Sequence, residues 1–220
     1  MICLVTDRRR LSAGLDATDL LVDLVGAAAR AGIDLIQVRE RDLEGRELAA
    51  LVTRCLAATG RGTTKVLVND RVDIAAATGA HGVHLRGDSV SVAAARSLLG
   101  EQALVGRSVH TIDEAAAAAN VADYLIFGAL FQTASKDAGH PIASLDDLRS
   151  ACRVSSGVPI LAIGGMTVPR ASEVARAGAA GLAGIGIFVP PPGVSADRHL
   201  HTVVAELRRS FDTCEAVPVH

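Results

Sequence analysis

Two glycine clusters carry the strongest chemical signal in this 220-residue chain. They are Ile163-Gly164-Gly165-Met166-Thr167 and Gly184-Ile185-Gly186, and each directly follows a short aliphatic run. Glycine lets backbone N–H groups approach an anion closely, and a following helix adds the favourable partial charge of its N-terminus. Gly164, Gly165, Gly184, Ile185 and Gly186 are therefore candidate phosphate-binding positions. The segment 128–143 offers a second anion site, because Thr133, Ser135 and Lys136 place two hydroxyls beside an ammonium group. Four polar clusters complete the set: Gln37-Val38-Arg39-Glu40-Arg41, Asn69-Asp70-Arg71, His84-Leu85-Arg86-Gly87-Asp88 and Arg107-Ser108-Val109-His110. Each ends an apolar run. A period of two puts Gln37, Arg39 and Arg41 on one side of their segment. Surface salt bridges would explain any single charge, but four equivalent clusters point to one shared site.

The elements that would gather these residues are legible as an alternation. Short aliphatic runs, predicted as strands near 2–5, 35–38, 66–68, 82–85, 104–106, 124–127, 160–163 and 181–185, are separated by Ala/Leu/Arg segments of helical period. The helices are expected near 20–31, 46–58, 72–78, 92–99, 112–120, 145–154, 169–177 and 199–211. Eight such βα units predict an α/β fold, a single (β/α)₈ barrel over 1–211, with a frayed tail over 212–220. Gly32, Gly79 and Gly178 each stand between a helix and the next strand, where a left-handed cap is needed. Ser144 and Pro169 mark helix starts. In such a barrel the chemistry collects at the C-terminal strand ends, where all the clusters above fall.

Composition narrows the ligand. Half of the residues are hydrophobic and only 2% aromatic, so a large core must be built from Ala, Val, Leu and Ile. With 22 basic and 24 acidic residues the net charge is −2, which argues against nucleic acid or an anionic membrane as partner and for a small molecule. The four cysteines, Cys3, Cys55, Cys152 and Cys214, form neither a CxxC pair nor a Cys/His cluster and are read as reduced thiols. Charges interrupt every apolar run, and the N-terminus lacks the pattern of a signal peptide, so a cytoplasmic location is expected.

In combination, Gln37-x-Arg39-Glu40, Val68-Asn69-Asp70-Arg71-Val72-Asp73, Gly82-Val83-His84-Leu85, Gly106-Arg107-Ser108-Val109-His110-Thr111, Phe131-x-Thr133-x-Ser135-Lys136 and Ala162-Ile163-Gly164-Gly165-Met166-Thr167 resemble the thiamine phosphate synthase/TenI family over essentially the whole barrel. One branch of that family joins a pyrimidine methyl diphosphate to a thiazole phosphate and releases diphosphate with the help of Mg²⁺. The other isomerises a carboxylated thiazole phosphate to its aromatic tautomer without a cofactor. The resemblance implies that Gln37 and Arg39 lie at the pyrimidine and diphosphate, and that Asn69 and Asp70 bind pyrimidine or metal. By the same resemblance Thr133, Ser135 and Lys136 clamp diphosphate or phosphate, and Gly165 with 184–186 takes the thiazole phosphate. A homodimer is a further implication of the family.

The chain departs from the synthase pattern at three points. Arg41 replaces a lysine, Ser89 stands where a metal-binding aspartate is expected with Asp88 one residue early, and Ile185-Gly186 replaces Val-Ser. From the tautomerase pattern it departs at Ala129, which follows Phe127-Gly128 where a catalytic histidine is expected. His110 or His140 would then have to move the proton, a task suited to a group that titrates near neutrality. Lys136 is the candidate for stabilising departing charge. The altered metal loop bears most directly on the synthase chemistry, so the tautomerase is the first reading, the Mg²⁺-dependent synthase the alternative, and a non-catalytic thiazole or thiamine phosphate-binding protein the third.

Overall fold

The computed structural model describes residues 1–12, 14, 17–132 and 142–213. Its strands are β1 (Ile2–Val5), β2 (Leu35–Val38), β3 (Lys65–Asn69), β4 (Gly82–Leu85), β5 (Leu104–Val109), β6 (Tyr124–Phe127), β7 (Ile160–Ala162) and β8 (Gly181–Gly184). They pair in sequence order, all parallel, and β8 returns to β1 to close the barrel. Helices α1 (Ala17–Arg30), α2 (Gly45–Thr59), α3 (Val72–Thr78), α4 (Val92–Leu99), α5 (Ile112–Ala118), α6 (Leu145–Val154), α7 (Val168–Arg176) and α8 (Ala196–Asp212) follow the strands in turn. The expected (β/α)₈ barrel is thus the observed fold.

Alternation along each strand splits the core into two layers. Outward residues such as Ile36, Val38, Val66, Val68, Val83, Leu85 and Val105 pack under the apolar stripes of the helices. Inward residues, among them Cys3, Leu35, Leu67, Tyr124, Ile126 and Leu161, fill the barrel itself. The barrel is therefore a packed core with no lumen. Burial pushes the thiols of Cys3 and Cys55 up to about 12 and that of Cys152 up to about 11, so all three are protonated, free thiols.

Helix starts follow local hydrogen-bond chemistry. Ser144 and Asp147 form a reciprocal capping box at α6, and Thr111 Oγ1 accepts from Glu114 N–H at the start of α5. Gly79 takes the left-handed conformation expected of it, with φ 68° and ψ 29°. Three boundaries differ from the sequence expectation. β5 continues to Val109, well past the expected end at residue 106, because its register with β6 extends to Val109↔Phe127. α1 and α8 begin at Ala17 and Ala196, the latter because Ser195 caps it by accepting from Arg198 N–H. Asp212 belongs to α8, and the tail from residue 214 lies outside the described residues. Among the described residues no helix is long and apolar enough to cross a membrane.

Candidate active site

The inward parity that fills the barrel with aliphatic residues becomes polar at the C-terminal ends of β2 to β5. Gln37, Asn69, His84 and Ser108 occupy inward positions there, since Leu35, Leu67, Gly82 and Gly106 precede them by two residues. Gln37 Nε2 donates to Asn69 Oδ1 at 2.7 Å. That bond leaves the Gln37 carbonyl as an acceptor and the Asn69 amide nitrogen as a donor. His84 is fully buried; its Nδ1 lies 3.0 Å from the Tyr124 hydroxyl and its Nε2 lies 2.8 Å from Ser108 Oγ. Burial alone pushes its imidazole down to about 3, so His84 is neutral.

A buried carboxylate fixes the segment that carries the arginines. Glu40 accepts the Thr6 hydroxyl at 2.6 Å, the Arg8 backbone N–H at 3.2 Å and the Arg8 guanidinium at 3.0 Å. The same Thr6 oxygen accepts the Arg39 backbone N–H at 2.9 Å. Arg39 is half-buried, and burial followed by the neighbouring Arg41 guanidinium lowers its pKa from the ordinary value. Arg41 is exposed and lines a cavity of about 180 Å³ with Glu40, Asn69, Asp70, Arg71 and Arg86.

Asp70 holds a left-handed backbone conformation (φ 64°), and its N–H donates to the His84 carbonyl at 2.9 Å. Its carboxylate accepts the Ser89 hydroxyl in a short hydrogen bond and stands 3.7 Å from the Arg86 guanidinium. Ser89 Oγ in turn accepts the Arg86 backbone N–H at 2.8 Å. Asp88 does not join Asp70. Its side chain is exposed and pairs with Arg86 at 2.7 Å. The described residues contain no group of three or more His, Cys, Asp or Glu side chains arranged to hold a metal.

Two expected site residues stand elsewhere. Arg107 has the outward parity of β5, and its guanidinium donates to the carbonyls of Gly87 (2.9 Å) and Val90 (3.3 Å). It braces the loop after β4 without entering the mouth. His110 Nδ1 donates to the Gly128 carbonyl, 2.6 Å away, and His110 lines a different cavity of about 650 Å³ with Thr111, Ile112, Phe127 and Ala129. Thr133, Ser135, Lys136 and His140 lie outside the described residues.

The glycine loops follow the adjacent strands β7 and β8, whose register is Ala162↔Leu182. Gly165 has φ 58°, and a Cβ there would fall 2.7 Å from the Gln132 carbonyl oxygen and 2.9 Å from Phe131 Cβ. Its own carbonyl accepts from Arg170, which also lies over the Phe131 ring at 4.3 Å. Among the described residues, the N–H groups of Gly164, Gly165 and Ile185 have no backbone acceptor. Gly184 and Gly186 flank Ile185, and the chain turns there into a short 3₁₀ helix, Gly186–Phe188.

Sequence reasoning passed over Thr6, Arg8 and Tyr124 as working parts, and it named Ser108 and Ser89 without giving either a role. Ser108 was within reach of the period-two rule, since it alternates with Gly106 and not with Arg107. Tyr124 carries no local signal at all.

A filled parallel barrel with polar ends on β2 to β5 and glycine loops after β7 and β8 defines the class: a (β/α)₈ barrel whose polar residues collect at the C-terminal ends of its strands. Residues 2–188 match the model of the thiamine monophosphate synthase family. A thiamine-phosphate synthase of Roseiflexus sp. (strain RS-1) is 39% identical over 208 residues, covering 93% of this chain and 85% of that protein. One from Natronomonas pharaonis is 41% identical over 198 residues, covering 89% and 88%. A solved structure, thiamine phosphate pyrophosphorylase from Pyrococcus furiosus, superposes with a TM-score of 0.77 at 27% identity, covering 96% of this chain and 95% of that one. The chain belongs to the thiamine monophosphate synthase family.

Proposed function

We propose that this protein is a thiamine-phosphate synthase, joining a hydroxymethylpyrimidine diphosphate to a thiazole phosphate and releasing diphosphate. This reverses the order drawn from sequence departures alone, because the relatives reported above carry the synthase name. The observation that carries the reading is the cavity in which Asn69 and Asp70 meet the cations Arg41, Arg71 and Arg86. Such a cavity suits a ligand with a polar ring and a strongly anionic tail.

The residues divide the work. The free acceptor of Gln37 and the free donor of Asn69 complement an aminopyrimidine edge, which offers an amine donor beside a ring-nitrogen acceptor. Arg41 and Arg86 line the cavity where the diphosphate would lie, and guanidiniums stabilise charge that grows as the leaving group departs. On the far side of the mouth, the backbone N–H groups of Gly164, Gly165 and Ile185 are suited to the thiazole phosphate. Two anion sites, one for each substrate, fit a reaction between two phosphorylated molecules.

Mg²⁺ is bound by one or two carboxylates together with substrate phosphates and water. Asp70 supplies a carboxylate beside this cavity, with the Ser89 hydroxyl oxygen against it, and that pair of hard oxygen donors fits the ion. When bound, Mg²⁺ neutralises diphosphate charge. Asp88, tied to Arg86, is not counted among the ligands.

The test compares diphosphate release from the two synthase substrates with isomerisation of the carboxylated thiazole phosphate. Release with the first pair, falling at least tenfold in Asn69→Ala, is expected. Turnover of the carboxylated thiazole phosphate alone would overturn the proposal in favour of the tautomerase. Tight thiazole phosphate binding with neither turnover would favour a non-catalytic binder.

A further inference from the structure

Tyr124, His84 and Ser108 form a line of hydrogen bonds running from the packed interior of the barrel to its mouth. The topology that allows it is specific. Tyr124 on β6 faces Gly106 on β5, and Gly106 faces His84 on β4. A Cβ on Gly106 would fall 2.1 Å from Tyr124 Cζ and 2.5 Å from its hydroxyl. Only glycine at that position lets the phenol cross β5 and reach the imidazole. The two rings then sit 5.5 Å apart, tilted by 32°.

The direction of each proton follows from the partners. Tyr124 is 1% exposed, its neighbours inside the barrel are aliphatic or thiol, and its hydroxyl has His84 Nδ1 as its hydrogen-bond partner at 3.0 Å. A buried phenol O–H needs an acceptor, so the hydroxyl donates and Nδ1 accepts. A neutral imidazole then carries its proton on Nε2. Nε2 donates to Ser108 Oγ at 2.8 Å. Ser108 consequently receives a hydrogen bond from below and keeps its own hydrogen for the other side. Its position on β5 is one inward step nearer the C-terminal end than Gly106, and its side chain is half-buried.

We propose that Tyr124 and His84 are positioning residues that fix the polarity of the Ser108 hydroxyl, holding it as a hydrogen-bond donor toward the barrel mouth. Neither Tyr124 nor His84 touches the ligand; the buried pair sets the polarity of the serine. If the imidazole carried its proton on Nδ1, Ser108 would donate to Nε2 and present only lone pairs to the mouth, which repel a phosphate oxygen. This inference rests on the anion-binding mouth proposed above, but the tautomer at its root is measurable without any ligand.

The experiment has two arms. In the first, ¹⁵N–¹H correlation spectra of the histidine-labelled full chain report the His84 tautomer. An unprotonated Nδ1 and a protonated Nε2 are expected in the wild type, with mixed tautomers in Tyr124→Phe. That substitution removes one oxygen and keeps the ring, so the fold is expected to survive, and circular dichroism checks it. In the second arm, inorganic diphosphate is titrated calorimetrically into wild type, Tyr124→Phe, Ser108→Ala and the double variant. Losing one charge-assisted hydrogen bond should weaken binding roughly tenfold in Ser108→Ala. Tyr124→Phe should weaken it severalfold on its own and have no further effect once Ser108 is alanine. A merely structural role for Tyr124 would give the same loss in both backgrounds and overturns the proposal, as does a wild-type proton found on Nδ1. Failure of the wild type to bind diphosphate, with the Nε2 tautomer observed, overturns the functional reading and leaves the hydrogen-bond polarity standing.

Discussion

Removing the Glu40 carboxylate tests how the arginine-bearing segment after β2 is held. In Glu40→Ala the Thr6 hydroxyl loses its acceptor at 2.6 Å, and the Arg8 guanidinium loses one at 3.0 Å. The Glu40 side chain is 1% exposed, that of Arg8 is 15% exposed, and Arg8 retains Asp42 at 2.7 Å. Breaking a buried ion pair costs about 3–5 kcal/mol, and the remaining Asp42 contact places this case near the lower end, at about 3 kcal/mol. For a chain of this length that corresponds to a fall in Tm of roughly 6–12 °C. Asp42 is 40% exposed, so Asp42→Ala should cost less than about 1 kcal/mol and serves as the surface control. Urea unfolding followed by circular dichroism, with an Arg8→Met/Glu40→Ala cycle, measures both values and their coupling. A cost for Glu40→Ala no larger than that for Asp42→Ala would refute the claim that a desolvated carboxylate organises this corner.

Three further outcomes are expected. His84 is held neutral at about 3 against about 6.5 in an unfolded chain, so its contribution is complete above pH 6.5 and is lost as pH falls toward 3. Between pH 7.5 and 5 the urea-derived stability gap between wild type and His84→Gln should narrow by about 2 kcal/mol, and parallel pH curves would contradict this. Gly106→Ala forces a methyl into the Tyr124 ring and should cost at least about 1–3 kcal/mol by the same measurement, whereas a neutral result would mean the ring lies elsewhere. Gly165→Ala, strained by its positive φ and its approach to Gln132 and Phe131, should weaken inorganic phosphate binding about tenfold in calorimetry; an unchanged affinity removes that loop from the anion site.

Much of the architecture was legible because it rests on periodicity. Eight aliphatic runs alternating with helical segments specify a barrel, and Ser144 with its following acids marks α6 as a reciprocal cap. The glycines after β7 and β8 were legible for the same reason, since their role is local. The errors arose where a side chain's direction depends on strand length or on distant partners. β5 was read as ending at residue 106, and once it runs to Val109 the alternation turns Arg107 outward and Ser108 inward. Asp88 is a candidate metal ligand only by the family resemblance, one residue before the expected aspartate position, and the turn gives the place beside Asp70 to Ser89. His84 reads locally as one more polar strand end, and only the phenol arriving from two strands away fixes its protonation.

The stoppered interior has a kinetic consequence. With Leu67, Tyr124, Ile126 and Leu161 plugging the barrel, no passage leads through it, and anything seated against Asn69 and Ser108 must arrive and depart by one doorway. In the synthase reaction proposed above, both substrates and both products would share that single opening.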